Sequence, residues 1–123
     1  MSQQKKLVRA NFRKAVFQRD GYRCVICGYQ SSPEKVDEEM DAHHITNRDD
    51  MPNGGYVPEN GVTLCKKPTR PDRDVSCHED AEAWLDPERV AAGDIWPDCD
   101  PDTLYLLIDS SPEEAKEAAR KLG

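Results

Sequence analysis

Two adjacent histidines, His43 and His44, are the residues of this sequence best suited to chemistry. The chain contains only three histidines, and the third, His78, follows directly after Cys77. Imidazole is the commonest protein ligand for transition metals and the commonest general base near neutral pH. The clustering therefore predicts a metal site or a general-base site, provided that the rest of the chain can build one around these residues.

The cysteines predict a separate structural metal site. Cys24 and Cys27 form a Cys-x-x-Cys pair followed by a glycine, a tight turn that aims two thiolates at one ion. Cys65 and Cys77 are expected to complete a tetrahedral four-thiolate zinc site; the alternative is that these two are buried free thiols. Cys99 is left over and is expected to be a buried or incidental thiol, with a role as substitute ligand as the alternative.

Length and composition bound the fold. A chain of 123 residues predicts one domain over residues 1–123 with a modest core. A hydrophobic fraction of 37% and nine prolines predict long irregular connections and a need for zinc as a stabilising element. No secretory signal or membrane span is recognisable, so we expect a cytoplasmic location and no membrane partner. In that compartment the cysteines are expected to bind metal and not to form disulfides.

The charge is unevenly distributed along the chain. The formal net charge is -7, yet residues 1–35 carry eight Lys/Arg against two Asp/Glu, whereas residues 79–123 carry four against thirteen. An acidic total can coexist with a basic N-terminal face that meets phosphates. The alternative interpretation is a solvated basic helix followed by an acidic surface.

Hydrophobic periodicity and turn residues predict an α+β fold. Val8, Phe12 and Ala15 recur at helical spacing, and Ser111-Pro112 is a helix-start signal. The predicted elements are a helix over Leu7–Arg19, strands over Ala42–Thr46 and Gly61–Leu64, a helix from Cys77 through Leu85, a β-like or buried apolar segment over Thr103–Ile108, and a last helix ending at Leu122.

The order of these pieces resembles the HNH endonuclease family, the ββα-metal nucleases, in its zinc-containing four-cysteine variety. The resemblance implies a small ββα-metal core with a zinc knuckle over residues 7–85, flanked by an N-terminal helix and a C-terminal strand/helix extension over residues 86–123. That extension is expected to pack on the core, with a dimer interface as the alternative. The matching segments are Phe12–Gly28, Asp41–Ile45, Glu59–Cys65 and Cys77-His78.

By position, the resemblance implies a role for each chemical residue. His43 and His78 correspond to the ligands of a catalytic divalent metal, Mg²⁺, Mn²⁺ or another ion, and His44 to the general base that activates water. Asn60 corresponds to the residue that holds the base-bearing segment by hydrogen bonds. Adjacent residues of a regular strand point to opposite faces, so a site shared by His43 and His44 requires an irregular strand or a strand end.

The implied substrate is DNA, with RNA as the alternative, cleaved by a monomer or a homodimer. The rival function is a non-catalytic, zinc-stabilised module on the same scaffold that binds nucleic acid or a protein, and the acidic region after residue 79 favours it. The candidate phosphate contacts are Arg9, Arg13, Lys14 and Arg48.

Two features depart from the family pattern. The family usually places its second pair of cysteines close together, whereas Lys66–Ser76 separates Cys65 from Cys77 here. This insert carries four basic residues and is either a loop that contacts phosphate or a solvated excursion. Glu82 lies four residues after His78, on the same helical face, and is a candidate third metal ligand.

Overall fold

Short segments with clear start and stop signals dominate the fold, and the computed structural model describes residues 3–122 of it. Met1, Ser2 and Gly123, which the predicted domain includes, lie outside the described residues. The predicted α+β fold is confirmed. The helices are α1 (Gln3–Arg19), α2 (Val36–Glu39), α3 (Cys77–Ala83), α4 (Pro87–Ala92), α5 (Pro101–Leu107) and α6 (Pro112–Arg120), and the strands are β1 (Met40–His44) and β2 (Gly61–Cys65). Between the strands lie 3₁₀ turns at Arg48–Asp50, Pro52–Gly55 and Pro58–Asn60.

The two strands pair antiparallel and carry the histidine pair. His44 lies opposite Gly61, and Met40 lies opposite Cys65. Helix α1 packs so closely on Gly61 that an added Cβ would come within 2.5 Å of a Val16 methyl and 2.7 Å of the Phe12 ring. Glycine is therefore required here by the close approach of the helix, since the φ of −126° is open to any residue.

A complete capping box fixes the start of α3. The Ser76 hydroxyl accepts a hydrogen bond from the Glu79 backbone N–H (3.1 Å), and the Glu79 carboxylate accepts one from the Ser76 backbone N–H (3.4 Å). This reciprocal pair satisfies two of the N–H groups that a helix start leaves free. It also sets Cys77 and His78 side by side in the first turn of the helix.

The expectation of a β-like segment over Thr103–Ile108 is wrong, because residues 103–107 lie in helix α5 and Ile108 is its C-cap. The Asp100 carboxylate accepts hydrogen bonds from the Thr103 backbone N–H (3.1 Å) and hydroxyl (2.6 Å), and a proline follows Asp100 at the first helical position. This strong N-terminal cap overrides the β propensity of the apolar run. Leu104 and Tyr105 are buried, whereas Leu106, one residue further along the helix, is 78% exposed.

The C-terminal helices pack against the 3₁₀ turns that precede β2. Ser111 caps α6 at the position that the sequence predicts, accepting a hydrogen bond from the Glu114 backbone N–H (3.1 Å). The buried residues of this part belong to the same hydrophobic core as those of α1 and the sheet: Leu104, Tyr105, Ala115 and Ala119. None of the described helices combines the length and apolarity that crossing a membrane requires.

Gly61→Ala should destabilise the protein by about 1–3 kcal/mol, because the added methyl overpacks the contact between β2 and α1. Urea denaturation measures the change. Adding Val16→Ala should restore room, so the double variant should lose less stability than the two single changes together. A Gly61→Ala protein that unfolds at the same urea concentration as the parent would show that α1 does not pack as described.

Candidate functional site

Four cysteines from three chain segments meet at one point. The Sγ atoms of Cys24, Cys27, Cys65 and Cys77 all lie within 4.8 Å of one another, and no other group of three or more possible metal ligands between residues 3 and 122 is as tight. Tetrahedral zinc with Zn–S bonds of about 2.3 Å separates its sulfurs by about 3.8 Å. The Cys27 and Cys65 sulfurs are 3.9 Å apart. The cluster therefore fits a metal ion such as zinc.

Local backbone geometry presents these thiols. The turn after Cys24 closes with a hydrogen bond from the Gly28 N–H to the Cys24 carbonyl (2.9 Å), and Gly28 adopts a φ of +81° that favours glycine. The Cys77 N–H points at the Cys65 sulfur (3.4 Å), and the Thr69 hydroxyl donates to the Cys27 sulfur (2.9 Å). Donors aimed at sulfur stabilise thiolates, the form that binds metal.

The thiols also perturb one another. A hydrogen bond shared with Cys65 raises the pKa of Cys24 to about 12, and the same contact lowers the pKa of Cys65. A metal ion, by contrast, stabilises all four thiolates. Cys99 is buried but stands outside the cluster, and burial raises its pKa to about 11.

The insert Lys66–Ser76 is fastened to the body of the protein. Arg70 and Arg73 both form ion pairs with the buried Asp80 of α3, and the Arg73 guanidinium lies 4.3 Å from the centre of the Trp96 ring. Lys67 pairs with Glu39 (3.0 Å). These side chains are engaged within the protein, so the insert serves structure more directly than it serves phosphate binding.

His43 faces α3 and is 4% exposed. Its ring centre is 5.4 Å from that of His78, in an edge-to-face arrangement. The His78 Nε2 atom lies 3.0 Å from a carboxylate oxygen of Asp41 and 3.5 Å from one of Glu82. Two imidazoles and two carboxylates thus converge on one side of the sheet, in a set that is more open than the cysteine cluster.

His44 lies on the opposite face of β1, as a regular strand requires. Its ring stacks on Phe12 of α1 with centres 4.6 Å apart, and Tyr56 meets it edge-on at 4.7 Å. His44 is nevertheless the last residue of the strand, and it lines the same cleft as His43.

The cleft has a volume of about 380 Å³ and is lined by all three histidines, Asp41, Arg48 and Glu82, among others. The Nε2 atoms of His43 and His44 are buried and have no hydrogen-bond partner among the described residues. Burial lowers the pKa of His43 to about 3 and that of His44 to about 4. Both imidazoles are therefore neutral at pH 7, and each keeps an unprotonated ring nitrogen that can bind a metal ion.

Asn60 is fully buried and ties the segment after His44 to the start of β2. Its side-chain carbonyl accepts hydrogen bonds from the Thr46 N–H (3.0 Å) and the Tyr105 hydroxyl (2.7 Å). Its amide group donates to the carbonyls of Thr46 (3.1 Å) and Gly55 (3.3 Å). Asn60 thus holds the segment that follows His44.

The four predicted phosphate contacts differ in availability. Arg9 and Lys14 are exposed on α1, and Arg48 lies at the cleft, where it donates to the Tyr56 hydroxyl (2.8 Å). Arg13 instead pairs with Asp37 (3.0 Å) and Asp41 (3.1 Å), which neutralises much of its charge. Arg9 and Arg48 are therefore the basic residues best placed beside His44.

Sequence reasoning assigned no role to several residues of the site. Asp41 could have been found, because it lies two residues before His43 and so shares its strand face. Tyr56, Thr69 and Tyr105 carry no such signal, since their roles depend on which distant segments the fold brings together. No protein-family model, no curated protein and no solved structure matches this chain.

Replacing one cluster cysteine should unfold the protein. Structural zinc sites contribute about 10–16 kcal/mol in small zinc-binding peptides, comparable to the whole stability of a domain of this size. Cys24→Ser is therefore expected to lose zinc and its near-UV circular dichroism, whereas Cys99→Ser should retain about one zinc per chain. Metal analysis and thermal melts would refute the cluster if Cys24→Ser kept both the metal and the parent melting temperature.

Thr69→Val should weaken zinc binding about 10- to 100-fold, since it removes the hydroxyl that donates to the Cys27 sulfur. Competition with a chromogenic chelator measures the affinity. Thr69→Ser keeps the hydroxyl and serves as the matched control, which should bind zinc nearly as well as the parent. Equal affinities for Thr69→Val and Thr69→Ser would rule out this contribution of the insert.

Proposed function

We propose that the protein is a metal-dependent endonuclease of the HNH type that hydrolyses phosphodiester bonds in DNA. The observation that supports this most is the cleft itself, where two buried, neutral imidazoles with unpartnered nitrogens meet a third histidine and three carboxylates. A site of this composition can hold a divalent ion and accept a proton from water, which are the two requirements of phosphodiester hydrolysis.

In this proposal His43 and His78 hold the divalent metal, either Mg²⁺, Mn²⁺ or another ion. The fit rests on the orphaned Nε2 of His43 and on the carboxylate oxygens of Asp41 and Glu82 beside His78 Nε2. Nitrogen and oxygen donors of this kind suit first-row divalent metals. When bound, the metal neutralises charge on the phosphate and assists the departing oxygen.

His44 acts as the general base. Its ring is held between Phe12 and Tyr56, which fixes the orientation of the imidazole, and His44 is among the residues that line the cleft. Asn60 positions the backbone that follows His44 through its pair of hydrogen bonds with Thr46. A base fixed in this way loses little orientational freedom when water attacks the phosphate.

Arg9 and Arg48 supply the phosphate contacts nearest the base. Both approach Tyr56, Arg9 over its ring (5.5 Å) and Arg48 at its hydroxyl, so the two cations flank the His44 side of the cleft. In this proposal Lys14, which is also exposed on α1, is a further phosphate contact. In the proposal zinc at the four-cysteine cluster has a structural role and takes no part in the reaction.

A second candidate function is a zinc-stabilised binding module without catalysis. It is favoured by the ion pairs that neutralise Arg13 and by the exposed Glu82 at the cleft, both of which weaken attraction to a phosphate backbone. The acidic surface after residue 79 would then meet a protein partner. The cleavage experiment that follows separates the two functions.

Replacing His44 with alanine should reduce plasmid cleavage about 100- to 10,000-fold, the usual contribution of a general base. The assay compares parent and variant protein with Mg²⁺, Mn²⁺ or Ni²⁺, with chelated reactions as blanks, and zinc analysis verifies that both keep about one zinc per chain. Lys116→Ala, an exposed change on α6, controls for contaminating nucleases and should cleave like the parent.

Undiminished cleavage by His44→Ala would place the base elsewhere. If the zinc-loaded parent cleaves neither DNA nor RNA with any of these metals, the binding module becomes the better account. Cleavage of RNA alone would retain the enzyme and correct its substrate.

A further inference from the structure

A tyrosine of the C-terminal extension reaches the buried asparagine of the candidate site. Tyr105 of α5 is 2% exposed, and its hydroxyl donates to the Asn60 side-chain carbonyl at 2.7 Å. The same hydroxyl lies 2.6 Å from the Thr46 hydroxyl. Residues 86–123 lie outside the stretch that resembles the HNH pattern, yet one of their side chains is bonded to its central asparagine.

This contact completes the hydrogen bonding of Asn60. A side-chain amide has two acceptor sites and two donor hydrogens. In Asn60 all four are used, by the Thr46 N–H, the Tyr105 hydroxyl and the carbonyls of Thr46 and Gly55. A fully bonded buried amide has one orientation only, because any rotation would leave polar atoms unpaired in the core.

The network restrains both sides of His44. Thr46 lies two residues after His44, and the Asn60 backbone carbonyl accepts a hydrogen bond from the intervening Ile45 N–H (2.9 Å). Gly55, the fourth partner of Asn60, immediately precedes Tyr56, the residue that meets the His44 ring edge-on. The orientation of Asn60 therefore governs the chain after the base and also the loop that packs against it.

The extension is anchored to this same loop at two further points. The Ser110 hydroxyl donates to the Glu59 carbonyl (2.8 Å), one residue before Asn60. The Asn53 side chain donates to the Ala119 carbonyl of α6 (2.9 Å). Together with the Tyr105–Asn60 contact, three side-chain hydrogen bonds therefore link residues 53–60 to α5, to α6 and to the segment between these two helices. These links fix the position of Tyr105 relative to Asn60.

We propose that Tyr105 is a positioning residue for the reaction, and that the C-terminal extension is thereby a working part of the nuclease site. This inference rests on the proposed function. Tyr105 does not line the cleft, so it acts through Asn60 and Thr46 by holding the His44 segment in place. Without the Tyr105 hydroxyl, the buried side-chain carbonyl of Asn60 would keep one of its two hydrogen bonds. The Thr46 hydroxyl would lose its hydrogen bond to Tyr105.

Tyr105→Phe tests the inference, because it removes one oxygen and leaves the buried ring. We expect kcat for plasmid cleavage to fall about 10- to 100-fold, with KM within about threefold of the parent, since small misplacement of a base affects the reaction more than binding. Assays run well below the melting temperature of each variant, and zinc content should remain at about one per chain.

Tyr29→Phe is the matched control. Its hydroxyl donates to Glu39 (2.8 Å), away from the cleft, so the change deletes a comparable hydrogen bond and should leave kcat unchanged. In an Asn60→Ala background, Tyr105→Phe should lower kcat by no more than about twofold, because the residue through which it acts is gone. A full further loss there, or an equal loss in Tyr29→Phe, would overturn the inference.

A second readout is independent of cleavage. The side-chain NH₂ of Asn60 should exchange slowly with solvent in the parent and at least tenfold faster in Tyr105→Phe, as followed by NMR. An inactive parent with this exchange difference would refute the proposed function while leaving the Tyr105–Asn60 contact established. An active parent whose kcat and Asn60 exchange are both unaffected by Tyr105→Phe would refute the positioning role.

Discussion

The convergence of four thiols is the constraint on which the remaining structure depends. The cluster joins the turn at Cys24 and Cys27, the end of β2 at Cys65 and the first turn of α3 at Cys77. Because His78 is the next residue, the position of Cys77 also sets the position of His78 against β1. A metal ion such as zinc at this point would therefore hold the knuckle together and fix one wall of the histidine cleft, in a chain whose apolar content is low.

Burial gives the cleft its chemistry. An imidazole removed from water resists protonation, so His43 and His44 remain neutral where an exposed histidine would be partly charged under mildly acidic conditions. The two rings are buried by different partners, His43 beside α3 and His44 against Phe12 and Tyr56, because they occupy opposite faces of one strand. This separation allows different tasks at neighbouring positions, and it suits the division of roles that we propose, with His43 as ligand and His44 as base.

Local signals predicted much of the fold and part of the site. The end of α1 at Arg19, the Cys-x-x-Cys turn, the start of α3 at Cys77 and the Ser111 cap of α6 depend on neighbouring residues, so the sequence predicts them, whereas α1 begins four residues before the predicted Leu7. Helix α5 is the exception: Asp100 and the proline after it form a helix start, whereas the apolar run that follows favours a strand or a buried apolar segment. Contacts between distant segments, such as Tyr105 with Asn60 or Arg73 with Trp96, could not be predicted, because no periodicity or spacing relates their partners.

The insert Lys66–Ser76 and the C-terminal extension each satisfy a buried polar group elsewhere in the chain. The carboxylate of Asp80 is almost completely buried and would be costly there if unpaired, and Arg70 and Arg73 of the insert neutralise it. The amide of Asn60 is completely buried, and Tyr105 of the extension completes its bonding. Each segment thus meets a specific electrostatic requirement of the core. Shortening the insert would leave the Asp80 charge unpaired, and shortening the extension would leave the Asn60 carbonyl only half satisfied, so these segments and the core form one interdependent structure.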